Sequence, residues 1–198
     1  KAEESGTMQG NIIVDYWKNN PNADKNGDGV LQYVMLEGEP GHQDAILRTE
    51  YSIKAIEDAG IKTEKLASDT GNWQRAQGQE KMDAWLSAFG DKIEVVFANN
   101  DDMALGAIEA LKAAGYFQGD KFMPVVGVDA TAPALDALAD GKLLGTVLND
   151  AKGQGKAILE IAYALAKGKD PSAEGLTDGK YAWVPYQPVT KENMDQFR

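Results

Sequence analysis

The sequence contains no cysteine and only one histidine, His42. Without cysteine the chain cannot carry a disulfide framework, a Cys-ligated metal or a Cys nucleophile, although this does not fix its cellular compartment. A single histidine makes a His-based zinc site implausible. The chain also lacks a run of apolar residues that could span a membrane, a GxGxxG or Walker phosphate-binding motif, and an internal repeat. Its polar chemistry therefore rests on carboxylates, carboxamides, basic groups and aromatic rings.

Positive charge is scarce as well. The 20 Lys and Arg residues face 31 Asp and Glu residues, so the formal net charge is −11, which argues against a nucleic-acid partner bound through its phosphates. At 198 residues the chain is one good-sized domain or two small ones, and it is long enough to bury a core. The chain starts at Lys1 without Met and without a signal peptide, so we expect a processed, tagged or excised polypeptide.

Predicted strands alternate with predicted helices along most of the chain. Apolar residues at helical spacing predict helices over 3–19, 44–58, 74–88, 101–114, 132–139 and 151–167. In the second of these helices we expect Ile46 and Ile56 to face inward. Short apolar runs predict strands over 31–36, 62–67, 93–98, 124–128 and 143–148, and an extended segment at 181–189 follows a loop with Pro171 and Ser172. The pattern predicts an α/β fold, with a parallel sheet flanked by helices on right-handed crossovers.

One loop resembles the start of an EF-hand calcium loop. Asp24, Asn26 and Asp28 stand at alternate positions, Gly29 occupies the place of the sharp turn, and a backbone carbonyl and a further side-chain oxygen follow at Val30 and Gln32. The bidentate Glu expected at the twelfth position is absent, because that position is Met35 in a predicted strand. Either the loop is an ordinary Asp/Asn/Gly turn, or an acid from elsewhere in the chain completes a calcium site.

Every predicted strand is followed by hydrogen-bonding side chains. Ligands of open parallel sheets bind off the carboxyl ends of the strands, so these side chains are candidates for a binding site. The strand ends are followed in turn by Gly38, Gly41, His42, Asp44 and Arg48; by Asp69 and Trp73; by Asn99, Asn100 and Asp101; by Asp129; and by Asn149 and Asp150.

Each of these residues also has a simpler explanation. Asn100, Asp129 and Asn149 are good helix N-caps, Asp44 and Arg48 at i and i+4 suit a solvated surface pair, and Trp73 suits a core. His42 is more often incidental than functional. Taken together, however, carboxylates, carboxamides, one Arg and one Trp supply both donors and acceptors beside an aromatic ring. Such a site suits a sugar, which carries hydroxyls around its rim and C–H groups on its faces.

At these residues the chain resembles the periplasmic glucose/galactose-binding proteins of sugar ABC transport and chemotaxis. The segments that carry the resemblance are DKNGDGVLQYVMLEGEPGHQDAILR, GIKTEKLASDTGNW, KMDAWLSAFGDKIEVVFANNDDMALGAIEALKA, VVGVDA and GTVLNDA. The resemblance implies that Ca²⁺ is bound by Asp24, Asn26, Asp28, the Val30 carbonyl, Gln32 and Glu94. It implies sugar contacts from His42, Asp44, Arg48, Asn100, Asp129 and Asn149, with Trp73 stacking on one sugar face.

In one respect the chain departs from the family pattern. These proteins have two lobes that close on the sugar, and we expect this chain to start after the first lobe. We expect residues 1–149 to form the second lobe, 150–177 to be a crossing segment and helix that normally belong to the first lobe, and 178–198 to return and pack on the second. The predicted helix 151–167 would then present Ile158, Leu159 and Leu165 as an exposed apolar stripe. We expect it to pack back, to be mobile, or to dock on a neighbour, which would form a homodimer.

The function implied by the resemblance is non-enzymatic binding of D-glucose or D-galactose, weak for a single lobe, with a structural calcium site. The implied partners are a membrane permease and a chemoreceptor, and the implied location is periplasmic or extracytoplasmic, lipid-anchored in a Gram-positive organism. One alternative is the effector-binding core of a LacI-like transcription regulator, although these residues include no helix-turn-helix head. Another is a glycosidase that uses Asp44 and Asp129, although we expect no acid of raised pKa.

Overall fold

The computed structural model describes residues 1–170 and 176–198. The predicted loop containing Pro171 and Ser172 lies outside the described residues. The α-helices are α1 (Ala2–Asn19), α2 (Gln43–Asp58), α3 (Arg75–Phe89), α4 (Asp101–Ala113), α5 (Ala132–Ala139) and α6 (Ala151–Ala166). The strands are β1 (Val30–Glu37), β2 (Lys62–Thr70), β3 (Val95–Ala98), β4 (Val125–Val126), β5 (Gly145–Leu148) and β6 (Gln187–Thr190).

The strands form one sheet in the order β2-β1-β3-β4-β5-β6. The first five strands pair in parallel, and β6 alone runs antiparallel, with Thr146 opposite Val189 and Val147 opposite Pro188. A proline in β6 is tolerated because this strand lies at the edge of the sheet. The predicted α/β fold with a mostly parallel sheet flanked by helices is confirmed.

Strand β1 shows why apolar and polar residues do not alternate along the central strands. Successive side chains of a strand point to opposite faces of the sheet. Tyr33 and Met35 belong to one apolar cluster, which includes Ile13 of α1, whereas Val34 belongs to the other, which includes Met82 of α3. Helices cover both faces of the sheet, so both sets of side chains must be apolar.

Helix α2 is fixed in place by close packing against α1. A Cβ at Gly10 would lie 2.3 Å from the backbone oxygen of Ser52, and a Cβ at Gly6 would lie 3.0 Å from that of Arg48. Only glycine permits this approach of the two backbones. Because α2 follows β1 directly, this packing sets the position of the residues at its first turns.

Several predicted boundaries differ from the observed ones. Only Val125–Val126 of the predicted strand 124–128 joins the ladder as a strand, and Ile93 and Glu94 precede β3. The predicted extended segment 181–189 is a strand only from Gln187 onward. The expectation that Ile46 faces inward is wrong, because 54% of this residue is exposed.

Helix α6 carries the exposed apolar stripe expected from the sequence. Ile158 is 69% exposed, Leu159 71% and Leu165 58%, whereas Ala164 is buried. We expected this stripe to pack back, to be mobile or to dock on a neighbour. Because these side chains are exposed, the stripe does not pack back. Within residues 1–170 and 176–198, no helix has both the length and the apolar character that crossing a bilayer requires.

Candidate functional site

The seven residues predicted to bind sugar all lie where the parallel strands end at their carboxyl termini. His42, Asp44 and Arg48 stand at or just inside the start of α2, after β1, and Trp73 follows β2. A bridge between Asp129 and Leu148 and a 3.4 Å hydrogen bond from the Asn149 backbone N–H to the Asp129 carbonyl join the ends of the next strands. The strand order thus brings residues from distant parts of the sequence to one edge, as the geometry of parallel sheets requires.

The indole of Trp73 is partly buried and has close neighbours. The ring of His42 meets it edge-on, with ring centroids 5.2 Å apart and planes at 76°. The guanidinium carbon of Arg48 lies 5.9 Å from the centroid of the Trp73 ring. The ring also packs directly on Gly38, where a Cβ would lie 2.2 Å from its atoms. A flat aromatic surface held in this way suits a ligand with apolar C–H faces.

Arg48 is a buried cation, not a solvated one. Only 3% of the residue is exposed. Its Nη1 donates to the Asn99 carbonyl at 2.8 Å, and its Nη2 donates to Asp44 Oδ2 at 3.1 Å. The i to i+4 pair is therefore present, but the interpretation of it as a solvated surface pair is wrong. The buried Nε has no hydrogen-bond partner, which leaves a costly unused donor beside Trp73.

Asn100 has two structural roles. Its Oδ1 accepts from the Met103 backbone N–H at 3.0 Å, so the N-cap interpretation is confirmed for this residue. Its Nδ2 donates to the carbonyl of Trp73 at 3.2 Å. Asn100 therefore fixes the start of α4 to the backbone that carries the aromatic ring.

Asp129 and Asn149 form the other half of the edge. Asn149 Nδ2 donates to Asp129 Oδ1 at 3.3 Å, and Gln154 Nε2 donates to Asn149 Oδ1 at 2.6 Å. The N-cap interpretation is wrong for both residues, because Thr131 caps α5 and Asp150 caps α6. Burial raises the pKa of Asp129, and the Arg48 guanidinium and the Asn149 amide oppose that rise. The expectation that no acid has a raised pKa is therefore wrong.

The backbone is strained on both sides of this edge. Asn72 and Trp73 have φ angles of 48° and 65°, and Asp129 and Ala130 have 126° and 55°. A non-glycine residue in this region costs about 1–3 kcal/mol and persists only where its surroundings impose it. Such strain is typical of residues that are held for a function, and here it falls on two of the seven predicted residues.

Asp101 supports the strained turn around Asp129. The residue is fully buried, and its carboxylate accepts from Thr146 Oγ1 at 2.6 Å and from the Thr131 backbone N–H at 2.8 Å. Burial raises the pKa of Asp101 to about 7, although these hydrogen bonds oppose the rise. Enclosed in this way, Asp101 holds the turn and does not reach a ligand.

The calcium-like loop is closed by hydrogen bonds from its backbone. Asp24 accepts from the N–H groups of Gly27 and Gly29 at 2.7 and 2.8 Å, and Asp28 accepts from the Val30 N–H at 2.8 Å. Gly27 and Gly29 have φ angles of 73° and 74°, which favour glycine. These contacts are those of a tight Asp/Asn/Gly turn, with the carboxylates gathered on its inside.

Glu94 lies beside this loop, as the family resemblance implies. It is 2% exposed, and its Oε1 and Oε2 accept from the backbone N–H groups of Lys25 and Gln32 at 2.6 and 3.0 Å. A single carboxylate from the segment before β3 thus joins the two ends of the loop. Burial raises the pKa of Glu94, and the two backbone hydrogen bonds oppose this effect.

The oxygen donors suit a hard cation such as Ca²⁺. Gln32 Nε2 and Asn26 Nδ2 both donate to Asp28 Oδ2 at 2.9 Å, while the buried Gln32 Oε1 has no partner. A buried oxygen without a partner is costly, and a cation would satisfy it. Across residues 1–170 and 176–198, no cluster of three His, Cys, Asp or Glu side chains has the geometry of a metal site. The candidate set instead combines carboxylates with amide and backbone oxygens, a mixture that Ca²⁺ accepts.

Other strand-end residues turn out to be structural. Asp69 pairs with Lys81 at 2.8 Å, and Asp150 accepts from the Gly153 N–H as the cap of α6. The sequence analysis named Gly38, Asn99 and Asp101 among the candidates at the strand ends but gave them no role. Gly38 and Asn99 follow strands directly and Asp101 begins α4, so their positions were a signal, but their roles depend on side chains that approach from other elements.

The fold and the arrangement of its polar edge define a class, that of the periplasmic binding proteins. Residues 1–170 match the family described as "Periplasmic binding protein domain". The chain belongs to this family. The relatives described below carry the names of binding proteins, and none of these names is that of an enzyme or a transcription regulator.

Among the curated relatives, the D-galactose/methyl-galactoside binding periplasmic protein MglB of Haemophilus influenzae is 47% identical over 98% of this chain and 58% of its own length. A putative rhizopine-binding protein of Rhizobium meliloti is 40% identical over 86% of this chain and 52% of its own. The solved structure of an ABC transporter solute binding protein from Bacillus halodurans with bound myo-inositol has a TM-score of 0.80 and 36% identity, over 100% of this chain and 61% of that one. The chain thus spans about half the length of the curated relatives that it matches.

Proposed function

We propose that this protein binds a hexose, D-galactose or D-glucose, as the solute-binding component of an ABC importer. The observation that carries the proposal is the packing of Trp73 on Gly38 beside the buried guanidinium of Arg48. The 47% identity to a protein named for binding D-galactose and methyl-galactoside supports the choice of sugar. The bound myo-inositol of a solved relative, a ring of hydroxyls, is a ligand of the same chemical kind.

The chemistry of the edge supports a neutral polyol ligand. The indole offers a surface for C–H groups, whereas Asp44, Asp129 and Asn149 offer oxygens that accept from hydroxyls. Arg48 already has a carboxylate partner in Asp44, so an anionic ligand would compete with that pair. A hydroxyl can instead insert as both donor and acceptor without displacing a charge.

We expect weak binding by a polypeptide of these 198 residues. His42 is exposed, and Asp44, Trp73, Asp129 and Asn149 are only partly buried, so water reaches the ligand side of the edge. Hydrogen bonds that compete with water contribute little net affinity. The dissociation constant for galactose or glucose should therefore be about 1 mM or weaker, which corresponds to roughly −4 kcal/mol.

Titration followed by nuclear magnetic resonance tests this proposal. D-galactose and D-glucose should saturate the wild-type polypeptide at millimolar concentrations, and Trp73→Ala should abolish that saturation. Trp183→Ala is the matched control, because Trp183 is 51% exposed and stacks on Tyr181. Absence of saturable hexose binding, or equal binding by Trp73→Ala, would overturn the proposal. Ribose and myo-inositol, titrated in parallel, measure its selectivity.

We also propose that Ca²⁺ stabilises the loop through Asp24, Asn26, Asp28, the Val30 carbonyl, Gln32 and Glu94. The support comes from the unpartnered Gln32 Oε1 and from the position of Glu94 across both ends of the loop. A ligand that binds only the native state raises stability by RT ln(1 + [L]/Kd). The melting temperature should rise when Ca²⁺ replaces EDTA, and an unchanged melting temperature would count against the site.

The proposal also covers the cellular location of the protein, its partners and the division of the chain. The family supports a periplasmic or extracytoplasmic location, lipid-anchored in a Gram-positive organism, with a sugar permease and a chemoreceptor as partners. We propose binding without a reaction, because the family and the relatives named above are binding proteins. The division into residues 1–149, 150–177 and 178–198 stays a proposal. The exposed α6 and the pairing of β6 with β5 support it.

A further inference from the structure

Asn99, the first residue after β3, contacts residues on both sides of the candidate sugar site and is itself buried. The residue is fully buried. Its Oδ1 accepts from the Gly38 N–H at 2.9 Å, and its backbone carbonyl accepts from Arg48 Nη1 at 2.8 Å. Its backbone N–H donates to the Leu36 carbonyl at 2.9 Å, which continues the ladder between β3 and β1. One residue thus contacts the segments that carry the aromatic and the cationic parts of the site.

Gly38 links the hydrogen bond from Asn99 to the ring of Trp73. The Gly38 carbonyl accepts from Thr70 Oγ1 at 2.7 Å, so its peptide groups are held by a hydrogen bond on each side. The Trp73 ring packs so closely on Gly38 that a Cβ there would lie 2.2 Å from the ring. Because the ring and the backbone are in direct contact, the position of Gly38 sets the position of the indole.

The Asn99 amide is oriented from the opposite side by α2. Its Nδ2 donates to Thr49 Oγ1 at 3.1 Å, and Thr49 is the residue next to Arg48. The NH₂ group also lies 3.8 Å from Met35 Sδ, and the amide oxygen lies 3.3 Å from Thr49 Oγ1. Because the Gly38 N–H can only donate, it fixes which end of the amide is the oxygen. A buried amide that satisfies its partners in one orientation only is a rigid connection.

We propose that Asn99 is a positioning residue for the sugar site, which couples the Trp73 ring to the Arg48 guanidinium without touching the ligand. Removing the amide oxygen leaves the Gly38 N–H without a partner in a buried position, so the strand end and the ring on it must shift. The Arg48 contact uses the backbone carbonyl and survives such a substitution. This inference rests on the proposed hexose function, and its test separates the two.

The test uses the Asn99→Leu and Thr49→Val variants of the full chain. In sugar-free protein, the indole N–H resonance of Trp73, assigned by Trp73→Phe, should move in both variants, while those of Trp17, Trp85 and Trp183 stay in place. The affinity for D-galactose should fall about tenfold in Asn99→Leu, the equivalent of one hydrogen bond, and less in Thr49→Val. Thr49→Val keeps the test valid if Asn99→Leu does not fold.

Leu31→Ala is the control for a general loss of stability. Leu31 is also fully buried, near the amino end of β1, in the apolar cluster that includes Ile13 and not Trp73. It should lower the melting temperature and leave the Trp73 resonance and the affinity unchanged. Wild-type affinity with an unmoved Trp73 resonance in both test variants would overturn the inference. A moved resonance in a protein that binds no hexose would mark the failure of the proposed function alone.

Discussion

The Trp73 ring lies against the Cα of Gly38, where a Cβ would be 2.2 Å from the Cη2 and Cζ2 atoms of the ring. Gly38→Ala must therefore displace the indole or the end of β1. Overpacking of this kind costs about 1–3 kcal/mol of stability, and we expect hexose affinity to fall because the ring moves. Thermal denaturation and galactose titration measure the two effects.

Gly155→Ala is the matched control for this substitution. Gly155 lies in α6, where an added Cβ would meet open space and where φ is not positive. Alanine there should raise stability by about 0.5–1 kcal/mol, because glycine loses more backbone entropy in a helix. Equal effects of the two substitutions would contradict the role assigned to Gly38.

Glu94→Gln should remove the calcium dependence of stability. The carboxylate joins both ends of the loop through Lys25 and Gln32, and the neutral amide offers a cation one oxygen and no charge. We expect the calcium-induced rise in melting temperature to disappear while the residual galactose affinity stays within about twofold, since the loop lies away from Trp73. Glu109→Gln, at an exposed position paired with Lys112, should keep the full calcium response.

Asp101 should make the protein less stable as the pH rises from about 4 to about 7. Burial raises the pKa of Asp101 from 3.8 to about 7, so in this range the native state keeps a proton that the unfolded chain has released. Stability from this group is thus complete below pH 3.8 and is lost as the pH passes through 7. Asp101→Asn should flatten this slope in urea denaturation series, whereas Asp83→Asn at an exposed position should preserve it.

The apolar stripe of α6 should associate with a second copy of the chain. Ile158 and Leu159 are 69% and 71% exposed, and covering each would contribute about 1.5–3 kcal/mol. Sedimentation should therefore depend on concentration for the wild type and not for Ile158→Gln/Leu159→Gln. Lys152→Gln on the same helix should sediment as the wild type does. A wild-type monomer at every concentration would contradict this prediction.

Within residues 1–170 and 176–198, the periodicity of apolar residues predicted all six α-helices and the parallel sheet, because burial on two faces leaves a strong signal. Strand ends were less predictable. Val125–Val126 is a two-residue strand within a longer apolar run, since only backbone pairing decides where a ladder stops. Ile46 follows the helical spacing and yet is exposed, because the spacing cannot say how wide the covered face of α2 is.

The sequence predicted which residues lie at the carboxyl ends of the strands, but not the hydrogen bonds that join them. The rule for parallel sheets placed Trp73, Asp129 and their partners together. It could not show that Arg48 is buried, since that depends on the Asn99 carbonyl, which is 51 residues away in sequence. Nor could it show the positive φ angles of Trp73 and Asp129, because non-glycine residues give no sign of such strain.

The antiparallel pairing of β6 with β5 has a consequence for how the molecule is made. The two strands are separated in sequence by α6 and the residues after it, so β5 is synthesised well before the strand that covers it. Until then the backbone groups on the outer side of β5 are open to any other strand, since β4 covers only the inner side. A ribosome-bound chain is thus open to strand exchange at Gly145–Leu148 until β6 has been made, and Pro188 limits further growth of the sheet once β6 is in place.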